Sequence, residues 1–183
     1  MQNRYSQEFK LDFVGIGFAK CGTSWIADKL DSHPDINFSS WKETNFFLSE
    51  EFIKNKTGLD SSRMGRCKDI NQLQTYFQNE KGKIKGEFSP WYIHEKNSIH
   101  RMQAMNSQMK IIICVRDPID FLYSLYWYNK SSIHGIHMPN TFEEMLVENE
   151  TYLERARFYQ QISAVYSVFP ENLVHLVDFD SIV

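Results

Sequence analysis

The chain has 183 residues, of which 42% are hydrophobic and 23% charged. That is the size and make-up of one globular domain and not of a disordered segment. Its net charge of -3 supplies no global basic field, which argues against a nucleic-acid partner. A phosphate-rich small ligand would need only a local cluster of positive charge.

Two further classes are set aside by local patterns. Cys21, Cys67 and Cys114 have no zinc or redox spacing, so three reduced thiols in the cytoplasm are expected, with no metal site. The N-terminus lacks an apolar run and the longest apolar stretches are too short to span a bilayer, so no membrane partner is expected.

In chain order, Leu11 to Ile16 is a short apolar run that predicts a buried strand. Gly17 to Ser24 is a glycine-containing loop. Helical spacing follows from Trp25 to Leu30 and stops at His33-Pro34, where His33 is expected to cap the helix end. Ile36 to Phe38 predicts a second strand. Asn45 to Lys54 predicts a helix with Phe46, Phe47 and Phe52 buried. Residues 56–68 read as a surface loop, 69–78 as a helix and Lys83 to Phe88 as a strand. His94 and His100 are expected at the surface. Lys110 to Val115 carries the strongest strand signal, a β-branched run that predicts burial on both faces of a parallel sheet. Helices are expected over 119–130, 142–149 and 152–168, and a last strand over 172–179. The alternation predicts an α/β fold, a three-layer sandwich with a central parallel sheet.

The strand–loop–helix opening is an anion-binding device. A helix N-terminus offers unpaired N–H groups and partial positive charge. Gly17 and Gly22 permit close backbone approach, Lys20 adds a mobile charge, and Thr23 and Ser24 add hydroxyls. The order differs from the nucleotide triphosphatase loop G-x-x-x-x-G-K-[ST], because the lysine precedes the second glycine. A second anchor is Arg116, just past the strongest strand, where open α/β sheets bind ligands. Its planar fork suits a phosphate, and Ser124 on the following helix could complete the site.

These segments resemble the PAPS-dependent sulfotransferases (PAPS is 3′-phosphoadenosine-5′-phosphosulfate). Phe13 to Trp25 resembles their 5′-phosphosulfate loop, with the core K-x-G-T-[ST] at Lys20 to Ser24. Arg116-Asp117-Pro118 with Ser124 and Tyr126 resembles their 3′-phosphate motif. Asp31 to Ile36 resembles the block that follows their first helix, and Lys42-Glu43-Thr44-Asn45-Phe46-Phe47 and Gly86 to Tyr92 resemble blocks of the branch that includes heparan sulfate and bacterial sulfotransferases. Order and spacing agree from about Asp12 to Val183.

The resemblance implies a P-loop-like phosphosulfate loop and transfer of a sulfuryl group from PAPS to an acceptor hydroxyl or amine. Gly17, Lys20, Cys21, Gly22, Thr23, Ser24 and Trp25 would bind the 5′ end, and Arg116 and Ser124 the 3′-phosphate. Glu43 would be the general base. Lys20, with Lys42 as a weaker second cation, would stabilise the transferring and leaving groups. PAPS would be the co-substrate, with no metal, and the acceptor a small molecule or a carbohydrate. The alternatives are a non-catalytic module that binds PAPS or its product PAP, and a P-loop small-molecule kinase. Trp91 and Tyr92 would either line the acceptor site or pack.

Three positions depart from the family pattern: Phe88 and Phe121 where relatives place basic residues, and Asn45 where a histidine is common. Residues 1–183 are expected to form a single sulfotransferase-like domain. Relatives continue past the last strand into a segment that closes over the adenosine, so this domain is either cut short at its C-terminus or a compact variant.

Overall fold

The computed structural model describes residues 9–55, 67–77, 82–131, 138–148 and 150–182. Five strands form one sheet in the order β2-β3-β1-β4-β5. They are β1 (Phe13–Gly17), β2 (Ile36–Phe38), β3 (Ile84–Phe88), β4 (Lys110–Val115) and β5 (Val174–Asp178). Every pairing is parallel, so each strand is reached by a crossover. The helices are α1 (Thr23–Ser32), α2 (Glu50–Asn55), α3 (Ile70–Thr75), α4 (Lys96–Met105), α5 (Pro118–Ser131), α6 (Phe142–Glu148), α7 (Glu150–Arg155) and α8 (Phe158–Tyr166). They flank the sheet in the predicted three-layer α/β arrangement.

β1 lies at the centre because it is apolar on both faces, and all five of its residues are buried. The chain leaves β1 toward β2 and β3 on one side, then crosses to β4 and β5 on the other. The strand order therefore reverses between β1 and β4. The crevice beyond their carboxyl ends is where such sheets place ligands.

The pairing of β1 with β3 is fixed by shape. Phe13 sits opposite Gly86, and Gly15 opposite Phe88. A side chain on Gly15 would come within 2.2 Å of the Phe88 ring, and one on Gly86 within 2.2 Å of the Phe13 ring. Each ring fills the space that the facing glycine leaves, so a slip in register would strand both rings.

A buried polar cluster lies at the end of β3. Glu87, Ser89 and Thr44 are fully buried, as is Tyr92. The Ser89 hydroxyl donates to Glu87 Oε2 at 2.7 Å and accepts from the Asn45 N–H at 3.2 Å. The Thr44 and Tyr92 hydroxyls pair at 3.2 Å. Burial pushes the Glu87 carboxyl up to about 7, against the opposing pull of the Ser89, Tyr92 and Thr44 hydroxyls.

Several predicted elements are shifted. The helix expected over 45–54 begins only at Glu50, because Glu43 and Asn45 take left-handed backbone with φ of 60° and 50°, which a helix cannot include. Phe47 is buried as expected, while Phe46 and Phe52 are only partly so. The helix expected over 152–168 is two, α7 and α8, broken at Arg157 with ψ of 58°. Helix α4 was not predicted. Its sequence is mostly polar, and only Ser98, Ile99 and Met102 are buried. The expected surface loop over 56–68 lies almost wholly outside the described residues. Among the described residues no helix is long and apolar enough to cross a membrane.

Two measurements test this account. Gly15→Ala should cost about 2 kcal/mol of stability in urea unfolding, the usual scale of overpacking, and Phe88→Leu in the same background should recover part of it. Undiminished stability of Gly15→Ala would show that the β1–β3 fit is loose. For Glu87, the folded carboxyl titrates near 7 against an ordinary 4.5. The folded state thus holds the extra proton between those values, and stability should fall as pH rises through that window, by on the order of 3 kcal/mol. Urea unfolding at about pH 5 and pH 8 should show this loss in the wild type and not in Glu87→Gln.

Candidate functional site

The loop after β1 and the segment after β4 meet at the crevice. Gly22 caps α1 with φ of 80°, a left-handed conformation that suits glycine. A side chain there would also press on Phe179 and Ile182 at 3.0 Å. No side chain caps the helix, and its first turn holds no acidic residue. The first intrahelical bond runs from the Ile26 N–H to the Gly22 carbonyl at 3.1 Å. The N–H groups of Thr23, Ser24 and Trp25 precede that bond and have no acceptor within α1.

The other loop residues have different duties. The Cys21 N–H donates to the Phe18 carbonyl at 3.2 Å, so it serves the turn. The Cys21 thiol is buried and raised to about 12 by burial, with Cys114 adding and Arg116 opposing. Gly17 ends β1, and its missing side chain makes room for Ile93. Lys20 has left-handed backbone with φ of 67°. Its ammonium lies over the Tyr128 ring, 4.3 Å from the centroid. Burial lowers the pKa of Lys20, and the neighbouring Arg116 charge lowers it further.

Arg116 follows β4. Its guanidinium lies 4.3 Å over the Phe179 ring, and one Nη sits 3.8 Å from Asp120 on the exposed start of α5. The Arg116 Nε is buried and has no hydrogen-bond partner among the described residues. A buried donor left unpaired costs about 1–3 kcal/mol, so this atom is suited to an acceptor that the protein does not supply. Ser124 lies one helical turn beyond Asp120. Lys20, Arg116, Ser124, Tyr123, Trp127 and Tyr128 line one open cleft of about 520 Å³. The sequence-predicted Lys20, Arg116 and Ser124 therefore come together.

Glu43 is not among the residues that line this cleft. Its N–H donates to the Phe88 carbonyl at 3.2 Å, which hangs it from the end of β3. Its neighbour Lys42 crosses to α1, where Nζ donates to Ser24 Oγ at 2.6 Å. The segment carrying the candidate base is thereby tied both to β3 and to the phosphate loop.

Other sequence candidates are settled by packing. His33 ends α1 as expected, and its Nδ1 accepts from the Asp35 N–H at 3.2 Å. Tyr92 is buried in the cluster under Thr44 and Phe47, so it packs. Trp91 is half-buried beside His94 and under the Arg155 guanidinium. His94 is half-buried against Phe18 instead of lying free at the surface, and His100 is exposed. Tyr126 is buried, and its hydroxyl donates to the Asn140 carbonyl at 2.7 Å, away from the cleft. Tyr128 and Phe179 were not read from the sequence. The signal for Tyr128 was the run of aromatic residues on α5, too hydrophobic for a solvated helix face. Among the described residues no group of three or more His, Cys, Asp or Glu could hold a metal ion.

Residues 10–183 match the sequence model of the sulfotransferase domain family. A membrane-associated sulfotransferase, kil1, of Dictyostelium discoideum is 26% identical over 148 residues, covering 78% of this chain and 29% of its own length. Human carbohydrate sulfotransferase 15 is 27% identical over 153 residues, covering 66% of this chain and 27% of its own length. The chain thus spans less than a third of these curated relatives. The crystal structure of a sulfotransferase from Alicyclobacillus acidocaldarius superposes with a TM-score of 0.81 at 26% identity, over 94% of this chain and 74% of that one. The match to the family model covers almost the whole chain, and with it the loop after β1 and the arginine after β4: the chain belongs to the PAPS-dependent sulfotransferase family.

Proposed function

We propose that the chain transfers the sulfuryl group of PAPS to an acceptor hydroxyl or amine. The observation that carries this is the buried Nε of Arg116, unpartnered among the described residues, in the cleft it shares with Lys20 and Ser124. A nucleotide with separate 3′ and 5′ phosphates would engage both ends of that crevice. Arg116 and Ser124 take the 3′-phosphate. Lys20, Thr23, Ser24, Trp25 and the start of α1 take the 5′-phosphosulfate, with Gly17, Cys21 and Gly22 shaping the loop.

Glu43 accepts the acceptor's proton as the acceptor oxygen or nitrogen bonds to sulfur. The bond from sulfur to the 5′-phosphate oxygen breaks, and its electron pair stays on that oxygen. Lys20 and the α1 amides hold the charge that develops there. The Phe88 carbonyl fixes the backbone of Glu43, so the base approaches from a set direction. The carbohydrate relative and the Lys42-Glu43-Thr44-Asn45-Phe46-Phe47 block favour a carbohydrate or similarly polar acceptor. Three buried free thiols favour a reducing compartment, the cytoplasm.

Calorimetric titration of PAP, with ATP as control, tests the donor site. The wild type should bind PAP in preference to ATP. Arg116→Ala should lose about 2 kcal/mol, the scale of a charge-assisted hydrogen bond to phosphate. Glu43→Gln should keep PAP affinity and lose turnover with PAPS across an acceptor panel. A wild type that prefers ATP and needs magnesium would mark a kinase. PAP binding without turnover would mark a binding module.

A further inference from the structure

Glu87 places a carboxyl group in the interior of the sheet. β3 is flanked on both sides, by β2 and β1, and Glu87 on it is fully buried. Its Oε2 accepts from the Ser89 hydroxyl at 2.7 Å. Its Oε1 is buried and has no hydrogen-bond partner among the described residues. The Thr44 and Tyr92 hydroxyls beside the carboxyl pair with each other at 3.2 Å. A carboxylate here would hold an unpaired, charged oxygen out of reach of water, so the neutral acid is the form that fits.

The groups around Glu87 carry no charge. Its neighbour on β1 is Val14. Thr44 reaches it from the segment after β2, and Ser89 and Tyr92 from the turn after β3. Tyr92 is the titratable group among these, and burial, then Glu87, hold it well above the ordinary tyrosine range. β2 has no charged residue. Lys42 is exposed and Glu43 only partly buried, and on α1 Asp28, Lys29 and Asp31 are exposed.

What this cluster holds is the segment of the candidate base. The Ser89 oxygen that donates to Glu87 also accepts from the Asn45 N–H at 3.2 Å. The Phe88 carbonyl between them on the chain accepts from the Glu43 N–H at 3.2 Å. Glu43 and Asn45 both have left-handed backbone, which such residues keep only where their surroundings hold it. Resting on the sulfotransferase reading above, we propose that Glu87, as a neutral acid, is a positioning residue that fixes Glu43 for proton removal from the acceptor substrate. Loss of the Glu87 proton leaves a charge that must draw donors to Oε1. Turning the Thr44 and Tyr92 hydroxyls toward it breaks their mutual bond and loosens the segment that carries Glu43.

The pH profile of turnover separates this role from others. A general base alone makes turnover rise with pH and then level off. The folded Glu87 carboxyl titrates at about 7. With an acceptor from the panel above, kcat should therefore fall about tenfold between pH 6 and pH 8, the change in the protonated fraction of such a group. PAP affinity should not follow that fall. Glu87→Gln, neutral at every pH, should show no such fall in kcat. Ser89→Ala, which cuts the link to Asn45, should lower kcat at least tenfold at both pH values while PAP binding shows that the variant is folded. A kcat that does not fall in the wild type, or falls equally in Glu87→Gln, would overturn the role of Glu87 alone. So would PAP affinity lost in step with kcat, which would assign the fall to Lys20 or to global stability. A wild type that turns over no acceptor would overturn the sulfotransferase reading and this proposal with it.

Discussion

The reciprocal fit of phenylalanine and glycine between β1 and β3 is the constraint on which the site depends. Phe88 fills the notch at Gly15, and Phe13 fills the one at Gly86. β1 runs directly into the phosphate loop. The end of β3 carries the Phe88 carbonyl that holds Glu43, and the Ser89 hydroxyl that holds Asn45. The Ser89 N–H closes the arrangement on the Gly15 carbonyl at 2.9 Å. A shift of one residue in this register would move the candidate base by about 3.3 Å relative to the loop, more than a hydrogen bond tolerates. Side-chain volume in the core therefore sets distances in the crevice.

The electrostatics are local in the same sense. The chain is acidic overall, yet Lys20, Lys42, Arg116 and the start of α1 gather around one crevice. Lys20 shows the strain of that crowding, since burial and then Arg116 lower its pKa. Arg116 avoids a tight ion pair: its nearest carboxylate is 3.8 Å away and exposed, a contact worth little in water. The Phe179 ring covers the face of the guanidinium and leaves its edges, where the N–H groups point. Stacking orients this arginine without using up its donors.

How much of this was legible follows from the range of the forces involved. β2 matched its predicted bounds, and β1 and β4 were readable because a strand buried in a parallel sheet is apolar along its length. The turn after β1 was readable because Gly22 meets a local backbone requirement at the start of α1. Helix α4 was not, because its amphipathic face is narrow and its buried positions include a serine. The start of α2 was misjudged because only Asn45 hints at left-handed backbone, while Glu43 shares that conformation without any local sign of it. That conformation is imposed by Phe88, Ser89 and Tyr92, which lie more than forty residues away in sequence. Tyr128 and Phe179 escaped for the same reason: each gains its role by contact with a basic residue from a distant segment.

The departures from the family pattern form one consistent set. Phe88 cannot supply a charge because its ring is needed against Gly15, where a lysine would leave the notch unfilled and bury an ammonium. Phe121 is buried against Phe158, with ring centroids 5.2 Å apart, so an arginine there would need a cavity that the core does not have. Asn45 is buried with a φ of 50°, a region that asparagine tolerates better than most side chains, and its N–H is committed to Ser89. At each position a group that could have faced the ligand has been turned to packing or backbone geometry. The polar work at the crevice is then left to residues on its rim, where a long flexible side chain such as that of Lys42 can reach the loop without disturbing the core.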